Sequence, residues 1–224
     1  MERLRKTVAE LENEYNREKQ IKLLQKISQL LITDYAINAC GVVIEPLWVE
    51  AYYFHKGKFE DFNDHRKSKQ KDGFGKLYLH TEKKISPSNR LGGVDIVLSL
   101  GDYYLSFLIK NSLIGGKFCK QVELNAILSQ KEYSFENSDN VLVELKRNHK
   151  VFFTKRIGLT KESFKDENLA ALPIDLLKNY PIKFKEKTAF EYIEEYRKTH
   201  SESECIKECK NILGYVPKKF FNLP

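Results

Sequence analysis

The chain has 224 residues, 42% hydrophobic and 31% charged, which allows a sizeable core and argues against a disordered protein. Its longest apolar runs fall well short of the ~20 residues that a membrane-spanning helix needs, which argues against a membrane partner. The 38 Lys and Arg outnumber the 31 Asp and Glu, for a net charge of +7, a balance that suits a polyanion because cationic side chains release the counterions condensed on phosphates.

The opening stretch MERLRKTVAELENEYNREKQ is charged rather than an apolar leader, so a cytoplasmic protein with reduced thiols is expected. Cys205 and Cys209 lie one helical turn apart. No neighbouring His or Cys pair completes a tetrahedral zinc set, so neither metal nor cofactor is expected. A monomer is the starting assumption.

In chain order, Leu4, Val8, Leu11 and Tyr15, then Leu24, Ile27, Leu31 and Tyr35, recur at helical steps. They predict one amphipathic helix, or two in series, over about the first 37 residues. Segment 42–54, VVIEPLWVEAYYF, is β-branched and aromatic and reads as one long strand or two joined at Pro46. The polar stretch 55–75 reads as a surface loop or short helix, long enough to suggest a function. Strands follow at 76–80, 94–100 and 103–110, the last two joined at Gly101-Asp102 as a tight hairpin. Segment 117–130 reads as helix, and 141–145 with 151–155 as a strand pair. The remainder is helix-dominated (DLLKNY, TAFEYIEEYRKTH, SECIKECKNIL) and ends in a basic, aromatic tail. The class is α+β: a single domain with a curved, mainly antiparallel sheet flanked by helices. Residues 1–40 form a helical extension, 41–160 the sheet core with the site, and 161–224 a helical C-terminal part.

No phosphate-cradling glycine loop or Gly-x-Ser-x-Gly elbow is present. The informative residues are charged groups embedded in apolar strands: Glu50 in WVEAYY, Asp95 in VDIVLSL and Lys110 ending SFLIK. Such groups are rare there unless paired or catalytic. If adjacent strands bring them together, they form a carboxylate–carboxylate–ammonium cluster; if not, they are solvent-facing or strand-end residues. Asp95 and Lys110 also have the spacing of a metal-dependent nuclease core. Leu108 occupies that core's second acidic position, which counts against a nuclease.

The order of features resembles the 3-methyladenine (alkyladenine) DNA glycosylase family over roughly residues 42–160. The resemblance is carried by Glu50-Ala51-Tyr52 after an aliphatic run, His65 in a polar loop and Gly75-Lys76-Leu77-Tyr78. It continues through Asp95 in VDIVLS, Lys110 in FLIK, the glycine turn and Cys-bearing helix of GGKFCKQVELNAIL, and Arg156-Ile157-Gly158. Asp95 stands where the family typically has Asn, and Lys110 where it has Arg. The resemblance implies hydrolysis of the N-glycosidic bond of an altered purine flipped out of duplex DNA. Glu50, held ionised by Lys110, is then expected to activate water, and Asp95 to read the hydrogen-bonding edge of the base. Tyr52, Tyr53 and Tyr78 are expected to stack on the base, and His65 and His80 to contact the backbone or polarise the leaving base. Lys67, Lys69, Lys71, Lys155 and Arg156 are expected to hold phosphates. The competing reading is a non-catalytic nucleic-acid-binding protein on the same scaffold.

Overall fold

The computed structural model describes residues 1–64, 68–80, 92–159, 161–180, 182 and 185–220, apart from the side chains of Lys69 and Lys219. The chain divides into two compact units, Met1–Leu172 and Pro173–Pro224.

The first unit opens with α1 (Glu2–Asn13) and α2 (Arg17–Thr33). Asn16 separates them, its side chain accepting from Lys19 N at 3.1 Å and capping α2. Leu4, Val8 and Leu11 on α1, with Leu24, Ile27 and Leu31 on α2, lose essentially all exposure in one hydrophobic core. The helical reading ran too far, because β1 (Tyr35–Ala39) begins two residues after α2 ends. The period of three and four reaches Tyr35 by coincidence. Pairing of Ile37 with Ile44 and of Asn38 with Val43 holds this segment extended.

The spine of the sheet is β2 (Val42–His55), a single 14-residue strand. After it come β3 (Phe59–Glu60), β4 (Lys76–Leu79), β5 (Val94–Val97), β6 (Tyr104–Ile114) and β7 (Lys117–Lys120). Then follow α3 (Gln121–Gln130), β8 (Leu142–Glu144), β9 (Val151–Thr154) and β10 (Ala170–Pro173). Among the described residues these ten strands form one curled sheet in the order β4-β5-β6-β2-β1-β8. Strands β3 and β10 also pair with β2, and β7 with β6. Every pairing whose register is described is antiparallel. The α+β class with a curled antiparallel sheet is as the composition of strands and helices indicates.

Three local readings are corrected. Residues 117–120 are strand rather than helix, because Gly115 and Gly116 (φ +57° and +75°) form a tight turn that folds β7 back on β6. The segments at 141–145 and 151–155 do not pair with each other: β8 adds to β1, and β9 to β10. The connection from β5 to β6 is wider than a two-residue turn, with Leu98 N bonded to Leu105 O.

The register of β2 against β6 is interrupted once. Pro46 pairs with Ser112, Trp48 with Asn111 and Val49 with Ile109. Leu47 is therefore an extra residue on one strand and Lys110 an extra residue on the other, so the two bulges compensate. Beyond them the faces separate cleanly. Val49, Ala51 and Tyr53, with Leu105, Phe107 and Ile109, Ile96 and Leu77, join α1 and α2 in the core. Glu50, Tyr52, Leu108, Asp95 and Tyr78 alternate onto the opposite face.

The second unit holds α4 (Ile174–Asn179), α5 (Lys185–Tyr196) and α6 (Glu202–Leu213), close to the helical segments read from the sequence. A capping box between Ser201 and Glu204 starts α6, and Gly214 in the left-handed region ends it. Cys205, Cys209 and Ile212 share its buried face. Glu208 ties the unit together, accepting from Tyr192 Oη at 3.1 Å and lying 3.2 Å from Lys178 Nζ. Among the described residues no helix is long and apolar enough to cross a membrane.

Candidate functional site

Ala170, Glu50, Leu108, Asp95 and Tyr78 stand in one row across five adjacent strands. Cross-strand partners project to the same face. The two carboxylates therefore flank Leu108, their backbones roughly 10 Å apart over two inter-strand steps. A second row, one step along, carries Tyr52, Ser106 and Val97. Lys110, the extra residue of its bulge, extends the same face beyond Leu108.

Glu50 exposes no surface. Its Oε2 accepts from Tyr52 Oη at 3.1 Å and lies 3.6 Å from Lys110 Nζ, and its Oε1 accepts from the backbone N–H of Ile157 at 3.2 Å. A buried carboxylate with this many donors is held in one orientation. Burial pushes the Tyr52 hydroxyl well above its ordinary pKa, and the Glu50 carboxylate pushes it in the same direction. Tyr52 is therefore a donor at neutral pH. Lys110 keeps a quarter of its side chain exposed, so the ammonium stands where the buried carboxylate meets solvent.

Behind Tyr52 lies Arg156, its guanidinium carbon 4.7 Å from the ring centroid. Arg156 Nη1 donates to Asp61 and, at 3.0 Å, to the carbonyl of Ala51, while Nη2 makes longer contacts with the carbonyls of Ser163 and Phe164. Neither partner of the Arg156–Asp61 pair exposes any side-chain surface. The expectation that Arg156 holds a phosphate is corrected: a guanidinium sealed from solvent cannot reach one. It supports Tyr52 and fixes the segment whose Ile157 N–H holds Glu50.

Asp95 is 3% exposed. Its Oδ2 lies 2.8 Å from His80 Nε2 and has longer contacts with Ser106 Oγ at 3.4 Å and Gln70 Nε2 at 3.5 Å. Its Oδ1 has no hydrogen-bond partner among the described residues. Tyr78, paired with Asp95 across the ladder, is 8% exposed and meets the His80 ring edge-on at 5.0 Å.

Two glycines let these strands meet. A Cβ on Gly92 would lie 2.1 Å from the His80 carbonyl oxygen, and one on Gly93 would lie 2.3 Å from Leu108 Cδ1. The first obstacle is backbone and the second a side-chain tip that can turn away. Gly92→Ala is expected to destabilise the protein by about 1–3 kcal/mol in chemical denaturation, and Gly93→Ala by less. Equal midpoints for the two variants would contradict this account of the pairing of β4 with β5.

The remaining expected residues are distributed less favourably. Tyr53 is corrected from a stacking residue to a core residue: it is fully buried on the opposite face, its hydroxyl 3.1 Å from His55 Nδ1. Period-two alternation separates it from Glu50 as surely as it places Tyr52 beside Glu50. Lys71 is ion-paired with Asp102 and Lys155 with Asp166, the latter at 3.0 Å. Each ammonium carries three donors, so these ion pairs occupy only part of it. Lys69 belongs to a 3-10 turn, Ser68–Gln70, and His65 and Lys67 lie outside the described residues.

Sequence reasoning missed Asp61, Gln70, Ser106 and the Ile157 N–H. Ser106 was within reach, because it alternates with Leu108 and Lys110 along β6. Asp61 and Gln70 sit in the stretch read as surface, yet expose at most 1%. Among the described residues no three His, Cys, Asp or Glu side chains gather as a metal ion would require. No protein-family model matches the chain, and no curated protein matches it.

Proposed function

We propose that the protein is a DNA glycosylase that hydrolyses the N-glycosidic bond of an altered purine. The observation that carries this reading is Glu50: a fully buried carboxylate oriented by Tyr52, Ile157 and Lys110, on one sheet face with Asp95, Tyr78 and His80. The resemblance to the 3-methyladenine family supports it, because three residues that carry the resemblance, Glu50, Asp95 and Tyr78, stand in one row. Each carboxylate oxygen has two lone pairs, and Oε1 accepts only one described hydrogen bond, from Ile157. A water donating to the second is turned with its oxygen free to attack the anomeric carbon. As the N-glycosidic bond breaks, the base departs with the bonding electron pair. The ionised Glu50 offsets the positive charge that builds on the sugar, and it takes the proton of the water that attacks. Tyr52 and Lys110 keep the carboxylate aimed throughout.

The test is incubation of the protein with duplexes bearing single alkylated purines, scored for abasic sites. Release from at least one duplex is expected, and none from any would end the enzymatic reading. A second reading, a non-catalytic nucleic-acid-binding protein, is favoured by the complete burial of Glu50. It predicts duplex binding without abasic sites.

A further inference from the structure

Lys110 has a capacity that aiming a carboxylate does not use. Its Nζ lies 3.6 Å from Oε2 of Glu50, and a quarter of its side chain is exposed while that of Glu50 is sealed. The amine therefore stands between a buried base and whatever approaches from solvent. Residue 110 also has no cross-strand partner in the ladder of β2 with β6. An arginine at this position would keep its proton. A lysine with a carboxylate at hand can give its proton up and become a nucleophile.

A sugar that has already lost its base needs no base pocket. Its open form carries an aldehyde at C1′, the carbon from which the glycosidic bond departed. A partly exposed amine can meet that aldehyde at the mouth of the site, with Glu50 behind it to move protons.

We propose that Lys110 gives the protein a second activity, cleavage of the DNA strand at abasic sites through a Schiff base. The assignment rests on the glycosylase reading only for deoxyribose being what enters. Glu50 takes a proton from the ammonium, and the freed lone pair of Nζ bonds to C1′. A second amine proton passes to the carbonyl oxygen, which leaves as water on receiving the proton held by Glu50. The product is a protonated imine. Glu50 then takes a proton from C2′, and the electron pair released expels the phosphate oxygen from C3′ with its bonding pair. The proton passes from Glu50 to that phosphate. Water hydrolyses the imine and restores the lysine.

The test uses the intact protein and a duplex carrying one preformed abasic site. Sodium borohydride reduces the imine to a stable amine, so a covalent protein–DNA adduct is expected, mapped by digestion and mass spectrometry to Lys110. Without borohydride the strand should break on the 3′ side of the site and leave a 5′-phosphate on the downstream fragment. Lys110→Arg should abolish both signals. If that variant folds poorly, the position of the adduct in the parent protein still decides. No adduct, or an adduct on another amine, would overturn the assignment. Because the abasic site is supplied, the two readings fail separately. Trapping at Lys110 without release of any altered purine would end the glycosylase reading and leave the lyase. Purine release without trapping would do the reverse.

Discussion

On the proposed glycosylase reading, protein carrying Glu50→Gln is expected to bind duplex DNA as the parent does and to release altered purines slower by a factor of about 10²–10⁴, the contribution of a positioned general base. Glutamine keeps the size of glutamate and loses its capacity to take a proton. It also meets a mismatch. Donors face both ends of the Glu50 carboxylate, Ile157 N–H at one and the Tyr52 hydroxyl with Lys110 at the other. An amide offers only one acceptor oxygen, so its NH₂ must confront one of these donors. A modest loss of stability should therefore accompany the loss of chemistry, and a melting curve separates the two. Single-turnover release at the parental rate from a folded Glu50→Gln protein would remove Glu50 from the reaction.

The largest stability change should come from a residue that touches no substrate. Arg156→Ala leaves the buried Asp61 side chain without its guanidinium partner and strips a donor from the Ala51 carbonyl. Removing one member of a buried ion pair typically costs about 3–5 kcal/mol. The double replacement Arg156→Met with Asp61→Leu is expected to recover much of that loss, because no charge then remains buried. Urea denaturation gives both values. If the single variant stays within about 0.5 kcal/mol of the parent, the pair is not the strut described here. Phosphate affinity gives a second contrast: neutralising Lys155 should weaken duplex binding and flatten its salt dependence, since its ammonium is solvent-exposed.

Period-two patterns made much of this architecture legible. VVIEPLWVEAYYF announces a long strand, and its charged residue in an apolar run marks Glu50 before any coordinates. Alternation also contained a warning about Tyr53 that its aromatic character obscured, since a residue three positions from Glu50 faces the other way. The polar stretch 55–75 was opaque for a different reason. Composition there reports the average, whereas Phe59, Asp61, Gln70 and Phe74 bury individually through contacts with residues far along the chain. Partners such as Asp61 and Arg156 are 95 positions apart, and no local pattern encodes a contact at that separation. Strand order was hidden for the same reason, and β10 pairs with β2 from a segment that composition assigned to helix.

The paired irregularity at Leu47 and Lys110 frees one position from the sheet's own bookkeeping. Because the ladder steps from Asn111 to Ile109 without a partner for residue 110, the tip of that side chain can be exchanged while every neighbouring strand keeps its alignment. A lysine, an arginine or an uncharged chain of similar length can be tried there on one unaltered framework. A set of replacements at 110 would therefore report on the ion pair with the buried Glu50 carboxylate, with the strand register held constant.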